Sequence, residues 1–169
     1  MEEHDIVAPS PWVVRWATLI TRGEVLDVAC GGGRHSRGFL DRGIAVVAVD
    51  RAPQSIPGAR FVHADLEAGG PWPFAQERFA GIVVTNYLHR PLLPHLLASL
   101  APDGVLIYET FMSGNERYGK PSNPAFLLRA GELFEAFGSL HVLAFEQGRT
   151  ATPKLAVIQR LCARRAAAL

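Results

Sequence analysis

Three consecutive glycines, Gly31, Gly32 and Gly33, stand between a short apolar segment and a stretch with helical character. The apolar segment, residues 24–28, has the length of a buried strand, and a helix is predicted over residues 34–42. Glycines remove side chains from a strand-to-helix turn, so the backbone can turn tightly and approach a bound molecule closely. The chain is therefore expected to contain a strand, a glycine-rich loop and a helix that together bind a nucleotide-like ligand.

Apolar runs of strand length recur after this unit, and helical or irregular stretches separate them. Strands are predicted over residues 44–49, 60–63, 79–85 and 104–109, with a helix over residues 92–100. The segment from 50 to 60 is too short for a full helix, so at most one turn is expected there. This alternation predicts an α/β fold with a doubly wound, mostly parallel sheet.

Two further strand-like segments, residues 140–146 and 155–162, lie at the C-terminal end. Their connection is too short for a parallel crossover, which needs a dozen or more residues, so the pair is predicted to form an antiparallel hairpin. Ahead of this hairpin, Asn123 and Pro124 predict the start of a helix. The apolar residues that follow are expected to form a buried stripe: Phe126, Leu127, Leu128, Leu133, Phe134 and Phe137.

Composition and length bound the class of protein. At 169 residues with 49% apolar residues, and with no apolar stretch of 18 residues, the chain is expected to be a single soluble domain spanning residues 1–169. The acidic N-terminus lacks the features of a secretory signal, which favours a cytoplasmic protein. A net charge of +1 gives no electrostatic reason to expect a nucleic-acid partner. Cys30 and Cys162 lack the spacing of a metal or redox site.

An amphipathic helix is predicted over residues 11–20, with Ser10 as its cap and Pro11 at its first position. Trp12 and Trp16 lie at helical spacing and are expected to pack. We expect residues 1–22 to cover the edge of the sheet where the ligand binds.

The glycine loop does not complete a dinucleotide fingerprint, because the position of the third glycine holds Ser36. A nicotinamide-dependent oxidoreductase therefore stays only as an alternative. The loop instead has an acidic residue followed by small residues at every second position: Asp27, Ala29, Gly31 and Gly33. Two later predicted strands also end in carboxylates, Asp50 and Asp65.

These residues resemble motif I and the two following acidic positions of the class I S-adenosylmethionine-dependent methyltransferases. The resemblance implies a Rossmann-like seven-stranded sheet of order 3-2-1-4-5-7-6. It implies S-adenosyl-L-methionine as cofactor, with S-adenosyl-L-homocysteine as product, Asp50 on the ribose diol and Asp65 beside the adenine amino group. The cofactor-binding residues implied are Asp27, Ala29, Cys30, Gly31, Gly33, Arg34, His35, Asp50, Arg51, Asp65, Leu66, Asn86 and Tyr87.

Within that family, the glycine loop with Arg34, His35 and Ser36 and the short second crossover are similar to the compact tellurite-resistance and thiopurine-like methyltransferases. A small-molecule acceptor is implied: a thiol, hydroxyl, amine or chalcogen oxyanion. A protein or RNA acceptor, and a catalytically silent binding subunit, remain alternatives. A monomer or homodimer is expected.

Candidate catalytic residues follow the fourth and fifth predicted strands, at the edge where such sheets bind ligands. His89 is the candidate general base, because an imidazole titrates near neutrality. Tyr87 is a candidate contact to cofactor or acceptor. The long segment 110–124 is a candidate lid, in which Arg117, Tyr118 and Lys120 could bind an anionic acceptor.

Two subclasses of methyltransferase fit the residues less well. Asn86 is followed by Tyr87 and Leu88, and not by the two prolines and aromatic residue typical of many amino-directed enzymes. No Asp or Glu occurs between Glu77 and Asp103, so the acidic ligands of a metal-dependent enzyme are missing there. No metal is predicted.

Overall fold

The computed structural model describes residues 8–169, which form one seven-stranded sheet with four short helices. The strand order is β3-β2-β1-β4-β5-β7-β6, which confirms the predicted fold class. The strands are β1 (Glu24–Val28), β2 (Ala45–Asp50), β3 (Arg60–His63), β4 (Phe79–Thr85), β5 (Leu100–Phe111), β6 (His141–Thr150) and β7 (Ala156–Arg164). The helices are α1 (Pro11–Ala17), α2 (Arg34–Asp41), α3 (Leu93–Ala98) and α4 (Glu132–Ala136).

Strands β1 to β5 are parallel, and β7 pairs antiparallel with both β5 and β6. In the centre of the sheet, Val28 lies opposite Val49 on β2 and Val84 on β4. Asp50 at the end of β2 lies opposite His63 at the end of β3. This register brings the carboxyl ends of β1 to β4 to the same edge, so the polar residues after each strand become neighbours.

Alternation along the strands divides the core into two layers. Val25, Val46 and Val83 pack with α1 and α2 on one face. Leu26 and Val84 face the other side, where they pack with α3 and α4. The near-continuous apolar sequence of these strands is thus explained by burial on both faces.

Several predicted boundaries differ from the structure. Helix α1 ends at Ala17, three residues before the predicted end, and α3 is shorter than predicted at both ends. Strand β5 begins at Leu100 and not at Gly104, because the backbone keeps pairing with β4 through an irregularity between Phe79 and Gly81. A Cβ atom on Gly104 would lie 2.8 Å from the Phe79 carbonyl oxygen, so the close approach of these strands requires glycine.

The predicted buried stripe after Asn123 is partly wrong. Asn123 does cap a turn, but this is a single 3-10 turn, Pro124–Phe126, and Phe126 is 45% exposed. Phe134 is 50% exposed because α4 has only five residues and turns this ring edge-on against Phe145 of β6. The other four residues of the stripe are buried: Leu127, Leu128, Leu133 and Phe137.

No helix within residues 8–169 is both long enough and apolar enough to cross a bilayer.

Candidate functional site

A cavity of about 530 Å³ opens at the carboxyl edge of the parallel strands, on both sides of the point where the strand order reverses between β1 and β4. Open α/β sheets bind ligands at this topological position. One part, which we call the β1–β3 half, is formed by Ala29, Val49, Asp50, Arg51, Ala64, Asp65, Leu66 and Glu67. The other part, the β4–β5 half, is formed by Asn86, Tyr87, Leu88, Thr110, Phe111, Lys120, Pro121, Ser122, Asn123 and Phe126.

Two carboxylates are held in place in the β1–β3 half by backbone N–H groups. Asp50 Oδ2 accepts a hydrogen bond from the Gly31 N–H at 2.8 Å, and its Oδ1 accepts one from the Ala52 N–H at 2.9 Å. Asp65 Oδ1 accepts one from the Glu67 N–H at 2.9 Å. Carboxylate oxygens fixed in this way can accept hydrogen bonds from sugar hydroxyls and from an exocyclic amine.

The glycine loop forms the tight turn that the sequence predicted. Ala29, Gly31 and Gly33 all have positive φ angles, of 52°, 53° and 83°. Gly33 caps α2, and a Cβ atom there would lie 2.8 Å from the side chain of Ile56. Ala29 lines the cavity, whereas Gly31 and Gly33 shape the loop behind it.

Asp27 is placed differently from its predicted role as a cofactor contact. It is buried on the face that packs against α2, and it accepts a hydrogen bond from Ser36 Oγ at 2.6 Å. Burial raises the pKa of Asp27 to about 7, although the hydrogen bonds from Ser36 oppose this shift. Asp27 therefore joins β1 to α2 without lining the cavity.

Cys30, Arg34 and His35 also lie outside the cavity lining. Burial raises the pKa of the Cys30 thiol to about 12, which keeps it protonated and unreactive. Burial and the neighbouring Arg34 lower the pKa of His35 to about 3, so its neutral Nε2 accepts a hydrogen bond from the Ser10 N–H at 2.9 Å. Arg34 donates to the Ala8 carbonyl oxygen at 3.1 Å. Arg34 and His35 hold the segment before α1.

A buried polar chain continues from this segment into the sheet. Ser10 Oγ donates to Glu109 Oε1 at 2.8 Å, and Glu109 forms an ion pair with Arg160 at 2.8 Å. The sequence did not indicate that Ser10, Glu109 and Arg160 interact, because their proximity depends on the pairing of β5 with β7. Residues 1–22 were expected to cover the edge where the ligand binds. Residues 1–7 lie outside the part of the chain that the structure describes, and none of residues 8–22 lines the cavity.

The loop after β4 places Asn86 and Tyr87 in the cavity but not His89. Asn86 has a positive φ of 53° and donates its N–H to the Glu109 carbonyl oxygen. Burial raises the pKa of the Tyr87 phenol, so this group stays protonated and can donate a hydrogen bond. His89 Nδ1 lies 3.4 Å from Glu67 Oε1 at the rim. His89 thus lies at the rim and outside the lining, and its role as general base stays a prediction.

The segment after β5 contributes Lys120 to the cavity, whereas Arg117 and Tyr118 do not line it. Tyr118 is 40% exposed, and its catalytic role stays a prediction. The buried Asn115 anchors the segment, since its Nδ2 donates to the Pro121 carbonyl oxygen and its Oδ1 accepts from the Val157 N–H, each at 3.0 Å.

An ion pair that the sequence did not indicate holds the far side of the cavity. Arg90 donates from Nε to Glu132 Oε2 at 2.7 Å and also to the carbonyl oxygens of Ala125 and Leu127. Burial by itself would raise the pKa of Glu132, but the hydrogen bonds from Arg90 and from the Arg129 N–H leave it below its ordinary value. This pair fixes the turn that carries Phe126.

In the β4–β5 half, the sequence indicated the segment 110–124 as a candidate lid but did not single out Thr110, Ser122 and Asn123 as lining residues. Common polar residues in an irregular segment give no periodic signal. Thr110 could have been suspected from its place at the end of β5. Within residues 8–169, no group of three or more His, Cys, Asp or Glu side chains is arranged to hold a metal ion.

Comparison with known proteins assigns the family. A model of the methyltransferase domain family matches residues 1–142. Among curated proteins, the chain is 26% identical to the ribosomal RNA small subunit methyltransferase H of Gemmatimonas aurantiaca, over 87% of this chain and 48% of that protein. It is 30% identical to a trans-aconitate 2-methyltransferase of Paracidovorax citrulli, over 61% of this chain and 42% of that protein. The chain thus spans about half the length of the curated relatives it matches.

Solved structures share the fold. TehB from Haemophilus influenzae superposes with a TM-score of 0.72 at 19% identity, covering 93% of this chain and 62% of that chain. The Burkholderia thailandensis 1,6-didemethyltoxoflavin-N1-methyltransferase, solved with its substrate and S-adenosylhomocysteine, superposes with a TM-score of 0.64 at 23% identity over 92% and 76% of the two chains. With its sheet order, its glycine loop and the family match over residues 1–142, the chain belongs to the S-adenosylmethionine-dependent methyltransferase domain family.

Proposed function

We propose that this chain transfers a methyl group from S-adenosylmethionine to a small-molecule acceptor. The observation that carries the proposal is a single cavity with two chemically different halves. The β1–β3 half presents Asp50 and Asp65, and the β4–β5 half presents aromatic, hydroxyl and amide groups. A volume of about 530 Å³ is typical of sites for small molecules.

The residues fit the cofactor through their donor and acceptor chemistry. Asp50 would accept hydrogen bonds from the ribose diol, and Asp65 would accept one from the adenine amino group. Leu66 supplies an apolar contact for the base, and the small side chain of Ala29 leaves room beside the loop. The bound cofactor supplies an electrophilic methyl group on a sulfonium.

The β4–β5 half would hold the acceptor next to that methyl group. Methyl transfer is an in-line displacement, so positioning of the nucleophile supplies much of the catalysis. The segment from Lys120 to Asn123, together with Phe126, also lines this half. A cavity of this size favours a small acceptor over a macromolecule, and one curated relative is named for a small carboxylic acid, trans-aconitate.

An RNA acceptor is the second candidate, because the other curated relative is named for ribosomal RNA. The net charge of +1 favours it less, since proteins that bind many phosphates normally carry a basic surface. A gel-shift titration with ribosomal RNA at low salt would separate the two: a shift that S-adenosylhomocysteine strengthens would favour RNA.

Calorimetric titration with S-adenosylmethionine, S-adenosylhomocysteine and NAD tests the proposal. We expect micromolar binding of the two sulfur nucleotides and none of NAD. The Asp50→Ala variant should bind them about 30-fold more weakly, which corresponds to about 2 kcal/mol for a charge-assisted hydrogen bond. Asp41→Ala, an exposed residue at the end of α2, is the matched control and should change nothing.

Two results would contradict the proposal in different ways. Tight binding of NAD alone would support the alternative that the chain is a nicotinamide-dependent oxidoreductase. If all three nucleotides failed to bind to a folded protein, the silent-subunit alternative would gain, and a protein partner would become the next object of study.

A further inference from the structure

The two halves of the cavity differ in charge. The β1–β3 half holds three carboxylates, Asp50, Asp65 and Glu67, with one cation, Arg51. In the β4–β5 half, Lys120 is the one formally charged side chain among the described residues that line it. Asn86, Thr110, Ser122 and Asn123 add hydroxyl and amide groups there. The β4–β5 half therefore offers a ligand one cation together with hydroxyl and amide groups that can donate hydrogen bonds.

Lys120 keeps its charge available to a ligand. The ion pairs within residues 8–169 join other side chains and do not include Lys120. Its backbone is held by the adjacent Pro121, whose carbonyl oxygen accepts the hydrogen bond from Asn115. Arg117 lies on the same segment but does not line the cavity. The fold thus brings one of these two cations, and not the other, to the site.

Among the described residues, the β4–β5 half offers no side chain suited to remove a proton. None of the described residues that line it is Asp, Glu or His. His89 stays at the rim beside Glu67, and the half-buried phenol of Tyr87 has a raised pKa that keeps it protonated. An alcohol or an ammonium acceptor would have to lose a proton during or before transfer. An acceptor that arrives as an anion would not.

From these observations we propose that the acceptor is a small carboxylate, bound by Lys120 and by the hydroxyl and amide groups around it, and that the product is its methyl ester. The proposal rests on the function proposed above and specifies the substrate class of the same site. A second, non-reacting carboxylate group on the acceptor is the best partner for Lys120, because the reacting group loses its charge on methylation.

Methyl transfer to a carboxylate needs no general base, because no proton has to be removed. One carboxylate oxygen supplies an electron pair to the methyl carbon, and an O–CH₃ bond forms. The C–S bond breaks with its electron pair moving to sulfur, so the sulfonium becomes the neutral thioether of S-adenosylhomocysteine. One positive and one negative charge are consumed, and no proton is released.

Binding to the protein saturated with S-adenosylhomocysteine tests the inference. The probes are benzoate, succinate and citrate, with benzamide and succinamide as uncharged counterparts, measured by calorimetry. At least one carboxylate should bind tenfold or more tightly than the amides. Lys120→Gln should weaken that binding by about tenfold, the loss of one charge-assisted contact, and Lys120→Arg should restore most of it.

Arg117→Gln is the matched control, since it removes the same charge from the same segment without touching the cavity lining; it should leave carboxylate binding unchanged. With S-adenosylmethionine in place of the product, the bound carboxylate should yield a methyl ester that releases methanol in mild alkali. The inference is overturned if the carboxylates bind no better than the amides, or if Lys120→Gln and Arg117→Gln weaken binding equally. Failure of S-adenosylhomocysteine itself to bind would instead refute the function proposed above.

Discussion

The two halves of the cavity are built in different ways. In the β1–β3 half, Asp50 is the last residue of β2 and Asp65 lies two residues beyond β3, so the parallel register of the sheet places them side by side. In the β4–β5 half, the segment from 112 to 126 has few backbone hydrogen bonds to its neighbours: Met112 donates to the Val157 carbonyl oxygen of β7, and residues 111–113 pair with Leu128 through one isolated bridge. Long-range side-chain contacts hold most of the segment. Backbone hydrogen bonds of the sheet thus position the β1–β3 half. Mainly long-range side-chain contacts position the segment that forms part of the β4–β5 half.

The largest effect is expected for a substitution that disrupts the glycine loop beside the β1–β3 half. Gly33→Val forces a β-branched residue to a φ of 83° and drives it against Ile56, so we expect a loss of about 4 kcal/mol in the free energy of unfolding. The matched change, Gly119→Val, meets no atom within 4 Å at its φ of 142° and should cost about 2 kcal/mol from backbone strain alone. Urea denaturation measures both. Equal losses would mean that Ile56 does not constrain the loop.

The next effect is on the side-chain contacts of the β4–β5 half. Arg90→Met removes the closest charged partner of the buried Glu132 carboxylate, which keeps only the exposed Arg129 at 3.6 Å, and should cost about 3 kcal/mol of stability. Arg60→Met is the control: Arg60 pairs with Glu24 and Glu77 at an exposed position, where such pairs contribute less than about 1 kcal/mol. Thermal unfolding compares the two variants. If Arg90→Met cost as little stability as Arg60→Met, the ion pair between Arg90 and Glu132 would not contribute to the stability of the fold.

The pH dependence of the free energy of unfolding should distinguish the buried Asp27 from exposed carboxylates. The folded-state pKa of Asp27, about 7, is above its value of 3.8 in the unfolded chain, so the folded state holds this proton more tightly. Its contribution is therefore fully present below about pH 4 and is lost as the pH rises to about 7, at up to about 1.4 kcal/mol per pH unit.

Asp27→Asn should remove this slope, and the free energy of unfolding measured from pH 4 to pH 8 would then be flatter. Asp103→Asn, an exposed residue with a φ of 64° that asparagine tolerates, should keep the slope of the parent protein. An unchanged slope in Asp27→Asn would mean that Asp27 titrates near its ordinary value.

The smallest effect is expected at Asn115. Asn115→Ala removes two hydrogen bonds and leaves the Val157 N–H without its partner, at a cost of about 2 kcal/mol. Because Asn115 holds only the β4–β5 half, the affinity for S-adenosylhomocysteine should stay within twofold while the acceptor KM rises. Ser113→Ala, which removes one exposed contact to the Leu128 carbonyl oxygen, should change neither. Weaker cofactor binding in Asn115→Ala would show that the two halves are coupled.

The difference between the halves also explains how far sequence reasoning reached. Strands β1, β3 and β4 were predicted to the residue, and Asp50, Asp65, Ala29 and Arg51 were assigned to the cavity they line. Asp27 does not line the cavity, because an acidic residue near a strand end can face either side of the sheet. The side that it faces depends on the alternation along the strand, which puts Asp27 with Val25 against α2.

Predictions were weaker for the loops after β4 and β5. His89 and Tyr118 carried suitable chemistry, but the structure puts one beside Glu67 and leaves the other exposed. Phe126 and Phe134 were expected in the core because of their helical spacing, but the chain forms only a 3-10 turn at Phe126, and the short helix α4 leaves Phe134 exposed. Residue type indicated the chemistry available, but it carried no information on which side chains would meet.

The sequence by itself determined the sheet and its acidic edge. Apolar runs, glycines and strand-end carboxylates are local signals, and parallel pairing then leaves little freedom in where those carboxylates lie. Only the tertiary structure decided which residues line the β4–β5 half. That choice rests on the contacts from Arg90 to Glu132 and from Asn115 to Val157, each between residues 42 positions apart, and a pattern within one segment does not encode a partner at that distance.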